Sequence, residues 1–318
     1  MGQRLIFMGT PAFAVPCVEA LVQDYEIVAV ITQPDRPASR GRKIIASAVK
    51  KAALAHGLAL MQPESLRQEE VVAQIAELQP QAIVVAAYGQ ILRPEVLSIP
   101  PFGVINVHPS LLPKYRGASP IAGALLAGEE ETGVSIMLMD EGMDTGPILA
   151  QVSTKIHAED TTASLGERLA KLGAELLLET LPGWLEGRIE AQGQDNAKAT
   201  YTRPIAKKDG LIHWSLPAFE IWGRVRAFDP WPGAHTWWRG RLFKVLAARP
   251  LPEWAGKAEP GQVLDLSAGV AVATGQGALL LKEVQLAGRR AMDIEDFVRG
   301  QSDFIGSLLG PQPQAEGG

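Results

Sequence analysis

Apolar residues in this chain follow two rhythms. In the first part, short apolar runs fall within residues 4–8, 27–31, 82–87 and 103–108, the pattern of strands buried on both faces. Between them the apolar positions take helical spacing. Val15, Val18, Leu21 and Val22 form one stripe, and residues 47–56, 69–78, 121–127 and 161–181 read the same way. Thr10 and Pro11 stand where an N-cap and a first helical residue are expected, so residues 4–31 predict a strand–helix–strand unit. Residues 58–61 read as a short strand and 133–139 as a longer one, while 148–156 alternate as an exposed strand. Thr161 or Thr162 is expected to cap the long helix that follows.

The second rhythm begins after a polar stretch. Residues 192–209 hold few large apolar side chains and read as a linker. Beyond them, short alternating runs at 240–247, 261–266, 269–273 and 278–284 predict a small antiparallel β-barrel. The expected division is a first domain over 1–191, the linker, a barrel over 210–310 and a disordered Pro-, Gln- and Gly-rich tail over 311–318.

Composition narrows the class. The chain has 318 residues, 47% of them hydrophobic, enough to bury sizeable cores. No apolar run approaches the roughly 18 residues that would cross a bilayer, and no secretory leader is visible, so a monomer in a reducing cytoplasm is expected. The lone Cys17 sits in an apolar helical run and reads as core. The formal net charge is −5, and neither half is basic enough for composition to announce a nucleic-acid binder. One local exception stands out. Arg36, Arg40, Arg42 and Lys43 crowd a Pro- and Gly-containing stretch, residues 33–43, with Lys50 and Lys51 following. It reads as a flexible loop, suited either to phosphate contacts or to plain solvation.

The chemistry concentrates in residues 103–120, Gly-Val-Ile-Asn-Val-His-Pro-Ser-Leu-Leu-Pro-Lys-Tyr-Arg-Gly-Ala-Ser-Pro. Asn106 and His108 lie two apart at the end of a buried strand, so their side chains share a face. Pro109 and Pro113 then force a rigid loop, at the carboxyl edge where open α/β sheets hold ligands. Asp144, in a Gly-containing loop after the next strand, is expected to join them there. An imidazole beside a carboxylate can move protons, and an amide can donate to an oxyanion. No Gly-x-Ser-x-Gly elbow accompanies them, which argues against a covalent acyl-enzyme. The five histidines are scattered without ligand spacing, so no metal is expected. Gly9 is the only glycine in the first turn, which discounts a nicotinamide dinucleotide. Direct transfer of a carbonyl-containing group between two bound substrates is the reading left by the residues themselves.

At these positions the chain resembles the folate-dependent formyltransferases. The likeness runs through Asn106-x-His108, Ser110-Leu111-Leu112-Pro113-x-Tyr115-Arg116-Gly117 and Asp144-Thr145-Gly146. A closer likeness, to members acting on charged initiator tRNA, rests on four further motifs. They are Phe7-Met8-Gly9-Thr10-Pro11-x-Phe13-Ala14, Gln33-Pro34-Asp35-Arg36-Pro37, Ala86-Ala87-Tyr88-Gly89-Gln90 and Arg226-Ala227-Phe228-x-Pro230-Trp231-Pro232. The resemblance implies a doubly wound, mostly parallel α/β domain followed by an OB-like barrel. It implies 10-formyltetrahydrofolate as donor and methionine on initiator methionyl-tRNA as acceptor, with no metal. Asn106, His108 and Asp144 would be catalytic. Folate would meet Gln90, Ile91, Leu92, Ser110, Leu111, Leu112, Pro113, Glu141 and Gly142, and tRNA would meet Arg36, Arg40, Arg42 and Lys43. The alternatives are a formyltransferase for an amino sugar nucleotide, a formyl-folate hydrolase, and a non-catalytic RNA-binding module.

Overall fold

The computed structural model describes residues 3–38 and 43–310, which form two compact units. The first comprises the residues up to Pro120, Glu131–Ile156 and Leu165–Arg203. The second comprises Ile121–Glu130, His157–Ser164 and the residues from Pro204 on.

In the first unit the apolar runs become β1 (Arg4–Gly9), β2 (Glu26–Ile31), β3 (Arg36–Ala38), β4 (Lys43–Ile45), β5 (Leu60–Met61) and β6 (Ala82–Ala86). They continue with β7 (Val104–His108), β8 (Arg116–Gly117), β9 (Glu131–Leu138), β10 (Ile148–Lys155) and β11 (Tyr201–Thr202). The connecting helices are α1 (Val15–Asp24), α2 (Ala48–Ala55), α3 (Glu69–Glu77), α4 (Pro94–Leu97) and the long α6 (Thr162–Leu185), whereas α5 (Pro120–Ala127) belongs almost wholly to the second unit. The main sheet runs β10-β9-β7-β6-β1-β2-β5. The five strands from β7 to β5 are parallel, and β9 and β10 are added antiparallel. Strand order reverses between β1 and β6, which leaves a crevice at their carboxyl ends.

Burial explains the strands. Every residue of β6 and β7 is buried, and Ile6, Met8, Ile31, Ile83 and Val85 pack with Leu66, Val71 and Ile75 on one face. Each such side chain is worth about 1.5–3 kcal/mol of transfer free energy. Behind β7, α6 comes close through Gly173, where an added Cβ would meet Val107 at 2.8 Å. That contact fixes the strand carrying the candidate residues.

Two local expectations are corrected. Thr10 caps no helix: α1 is preceded by a single 3-10 turn at Ala12–Ala14 and its N-cap is Ala14. The Thr10 hydroxyl instead donates to Tyr88 O at 2.8 Å, tying the β1 turn to the β6 turn. The two flanks of the stretch 33–43 are also less irregular than expected, because residues 36–38 and 43–45 pair antiparallel as β3 and β4. Arg40 and Arg42 lie outside the described residues, and only the backbone of Arg36 and Lys43 is described. Lys50 is paired with Asp35 at 2.5 Å, so it is less available to an outside anion than its sequence neighbourhood suggested.

The second unit is an antiparallel curled sheet. Its strands are β12 (His235–Trp238), β13 (Arg241–Leu251), β14 (Val263–Leu266), β15 (Gly269–Ala273), β16 (Ala278–Leu286) and β17 (Met292–Asp293). The order is β12-β13-β16-β15-β14, with β17 on β16, and helices α7 (Ala218–Ala227) and α8 (Ile294–Arg299) accompany it. Its two free edges are bridged by the last described residues. Val263 N donates to Ser307 O, Leu309 N to Gly261 O, and Trp237 N to Gly310 O. Trp238, Phe243, Phe297 and Phe304 fill the core, with neighbouring ring centroids 5.0–5.7 Å apart. Residues 311–318, expected to be a disordered tail, lie outside the described residues. Among the described residues, no helix is long and apolar enough to cross a membrane.

Candidate active site

The site is built on β7. Asn106 pairs in register with Val85 of β6, and His108 with Ser135 of β9, so both side chains leave one face of a fully buried strand. Asn106 is 9% exposed and His108 4%. The His108 Nε2 lies 3.1 Å from Tyr115 O, a group that can only accept, so Nε2 carries a proton in that contact. Nδ1 faces Asp144 Oδ2 at 3.7 Å. A protonated ring would therefore have an acceptor on each side. Burial nevertheless pushes the His108 pKa below its ordinary value, with Asp144 and then the Tyr115 carbonyl opposing that shift. Burial thus favours the neutral imidazole, the form that can take a proton. Among the described residues, no side-chain hydrogen bond claims the Asn106 amide.

Asp144 reaches this place by an unexpected route. The sequence reading put it at the carboxyl edge beside His108, as if β9 ran with β7. In fact β9 is antiparallel to β7: Ile105 pairs with Leu138, and Met139 N donates to Val104 O. The loop after β9 therefore starts near the amino end of β7 and must fold back toward His108. Gly146 permits this, since a Cβ there would sit 1.9 Å from Leu138 O. Asp144 itself adopts φ 54°, and Tyr115, on the other side of the imidazole, φ 60°. Left-handed backbone at such residues costs about 1–3 kcal/mol each and persists only where the surroundings enforce it. One restraint is direct: Gly117 N donates to Asp144 Oδ2 at 2.7 Å.

The remaining restraints come from residues that sequence reasoning missed. Residues 192–203, inside the stretch read as a linker, pack within the first unit. Gln192 bridges to Ile148, and β11 pairs with β8. Gln194 Nε2 donates to Asp144 O at 2.9 Å and to Gly146 O at 2.7 Å. Its Oε1 accepts from Arg116 Nη2 at 2.8 Å. Arg116 is 1% exposed, and among the described residues its other side-chain hydrogen bonds go to Asn196 and Tyr201, both neutral. A lone Gln in a polar stretch gives no sequence signal. The Tyr-Arg-Gly motif pointed to Arg116 only through the resemblance.

The residues assigned to folate fall into two groups. Ile91 is 82% exposed, and Glu141 and Gly142 are also exposed. Gln90 is half-buried, its amide oxygen accepting from Leu66 N. Leu92 is in the core, Leu112 is buried, and the Ser110 hydroxyl is spent on Lys114 O at 2.6 Å. Those three can offer a ligand only their backbone. Leu111 and Pro113 are half-buried, and Pro113 O accepts from Thr200 N. At the reversal of strand order, a cleft of about 530 Å³ is lined by Thr10, Pro11, Gln33, Ser47, Tyr88 and Gly89, among others. Among the described residues, no three His, Cys, Asp or Glu side chains group as metal ligands would.

Comparison with known proteins is consistent across the whole chain. Residues 3–181 match the family described as formyl transferase, and residues 204–302 match formyl transferase, C-terminal domain. A methionyl-tRNA formyltransferase of Roseiflexus castenholzii is 50% identical over 312 residues, covering 98% of this chain and all of that one. One from Chloroflexus aggregans is 52% identical over 300 residues, covering 93% and 97%. Among solved structures, a sugar 3N-formyl transferase crystallised with dTDP and 5-N-formyl-THF superposes with a TM-score of 0.67 at 19% identity, over 91% of this chain and all of that one. An N-formyltransferase of Helicobacter canadensis gives 0.66 at 20%, over 88% and 99%. At such identities these two speak for the fold.

Proposed function

The chain belongs to the formyl transferase family, and from that premise we propose that it moves a formyl group from 10-formyltetrahydrofolate to the α-amino group of methionine on initiator methionyl-tRNA. The relatives that align along nearly its whole length carry that activity in their names, and the sugar formyltransferases resemble it only in fold. A small-acceptor or hydrolase reading is therefore not favoured.

The observation that supports the chemistry best is the buried His108, with Tyr115 O at its Nε2 and Asp144 at its Nδ1, beside an Asn106 amide that no side chain among the described residues claims. In this reading the amine nitrogen attacks the formyl carbon, and the oxygen takes the developing negative charge. Asn106 donates to that oxygen. His108 takes up the proton the amine must lose, and the imidazolium so formed adds a positive charge beside the oxyanion. Asp144 orients the ring and stabilises its cation. The carbon–N10 bond then breaks, and the proton passes to the departing N10 of the folate, so the proton count balances.

The folate ring is assigned to the backbone around Gln90–Leu92, Ser110–Pro113 and the loop of Glu141 and Gly142. Ile91 and the 62%-exposed Met143 offer apolar cover there. The cleft at the strand-order reversal is of a size for the methionyl end of the acceptor. Arg36, Arg40, Arg42 and Lys43 are assigned to the RNA backbone. The test is to combine the protein with 10-formyltetrahydrofolate and charged initiator tRNA and to look for formyl-methionine on the tRNA. No product with that pair, but product with an amino sugar nucleotide, would sink the proposal.

A further inference from the structure

We propose that residues 192–202 are a clamp on the catalytic loops, and that Gln194 is the positioning residue through which the clamp holds Asp144 against His108. The proposal rests on the role assigned to Asp144 above.

Both groups that face the imidazole come from backbone in the left-handed region, Tyr115 at φ 60° and Asp144 at φ 54°. Neither turn is closed by its own residues alone. The clamp touches each of them. On the Tyr115 side, Thr200 Oγ1 accepts from Tyr115 N at 2.8 Å, and Thr200 O accepts from Arg116 N at 2.9 Å. On the Asp144 side, the Gln194 amide donates to the carbonyls of Asp144 and Gly146. The two sides are joined through one side chain. Arg116 donates to Gln194 Oε1 from both Nε and Nη2, and reaches Asn196 and Tyr201 as well.

Among the described residues, this 1%-exposed guanidinium is bonded to neutral acceptors and forms no ion pair. Its geometry does something else. It fixes which way the Gln194 amide points, because only the oxygen can face Arg116. Both amide hydrogens must then face the Asp144 loop. An Asn here would be too short to span the gap, and a carboxylate would present oxygen to two carbonyls. The residue type is dictated by a three-way junction.

The experiment uses the full-length protein with two substitutions that separate positioning from folding. Gln194→Glu keeps a partner for Arg116, and a stronger one, while removing both donors to the loop. Gln194→Met fills the same volume with neither. Thermal unfolding gives the folded fraction, and formyl transfer is expressed per folded molecule. Both variants should bind formyl-folate with little change in KM and lose kcat by about 10- to 100-fold, the scale expected when a reacting group is displaced by an ångström or so. The decisive readout is coupling. In an Asp144→Asn background, Gln194→Glu should cost almost nothing further, because the group it positions is already gone. Unchanged kcat in both Gln194 variants, or losses that simply multiply in the double variant, would overturn the clamp. If Asp144→Asn alone kept wild-type turnover, the fault would lie in the assignment of Asp144 instead.

Discussion

At the residue scale, the site depends on one proton being in the right place. His108→Ala or Asp144→Ala should each lower formyl transfer by about 10²-fold or more, the range for a lost acid–base or oxyanion group, while formyl-folate binding weakens far less. Steady-state kinetics beside folate titration checks this, and near-normal turnover in either variant would remove that residue from the mechanism. The buried ring also leaves a mark on stability. Because His108 titrates below its ordinary value of 6.5 in the folded protein, the unfolded chain binds a proton first as pH falls. Stability from this group is thus intact above about pH 6.5 and erodes as pH drops from there toward the folded-state value. Melting curves across that window should slope less for His108→Asn than for wild type. Parallel slopes would mean that the ring is not held neutral by burial.

At the scale of elements, two segments carry separable consequences. The cations around β3 and β4 were legible as a cluster, and a phosphate-contact role makes a defined prediction. Each contact releases condensed counterions, so tRNA use should fall steeply with salt. Arg42→Ala should weaken use of charged tRNA and flatten that dependence, without altering formyl-folate affinity. Kinetics at several salt concentrations decides it, and an unchanged specificity constant and slope would make the cluster a solvated one. The other segment is the 306–310 strip bridging the edges of the curled sheet. Phe304 anchors it, fully buried against Trp238, Phe243 and Phe297. Phe304→Ala should destabilise the second unit by about 3–5 kcal/mol, the usual cost of emptying a buried phenyl site. Urea unfolding followed by tryptophan fluorescence would show it as a lower midpoint, and a wild-type midpoint would contradict the strip's structural role.

For the whole molecule, two compact units make the response to ligand informative. A donor that binds only the folded first unit stabilises it by mass action, by about 2.7 kcal/mol at a hundredfold excess over Kd. Formyl-folate should therefore raise the melting transition and protect the first unit from proteolysis, leaving the second unit's cleavage pattern alone. Protection confined to the second unit would contradict the placement of the folate site.

The sequence by itself determined the local facts. Apolar runs dictated β1, β2 and β6, and β7 carries the same pattern broken only by Asn106 and His108, because a strand covered on both faces needs no polar positions. Period-two spacing fixed Asn106 and His108 on one face, and the alternation after residue 240 announced the second unit. The position of Asp144 after the next strand suggested that it joins Asn106 and His108, and family likeness added its catalytic assignment. Only the tertiary structure decided how these parts meet. The direction of β9 depends on which neighbour completes the sheet, and no periodicity records that choice. The burial of Arg116 and the spanning of a polar gap by Gln194 join residues far apart in the chain, where local pattern carries no information. Residues 192–202 read as a linker because their side chains are polar. They pack as structure because those same polar groups find partners in the strained turns beside His108.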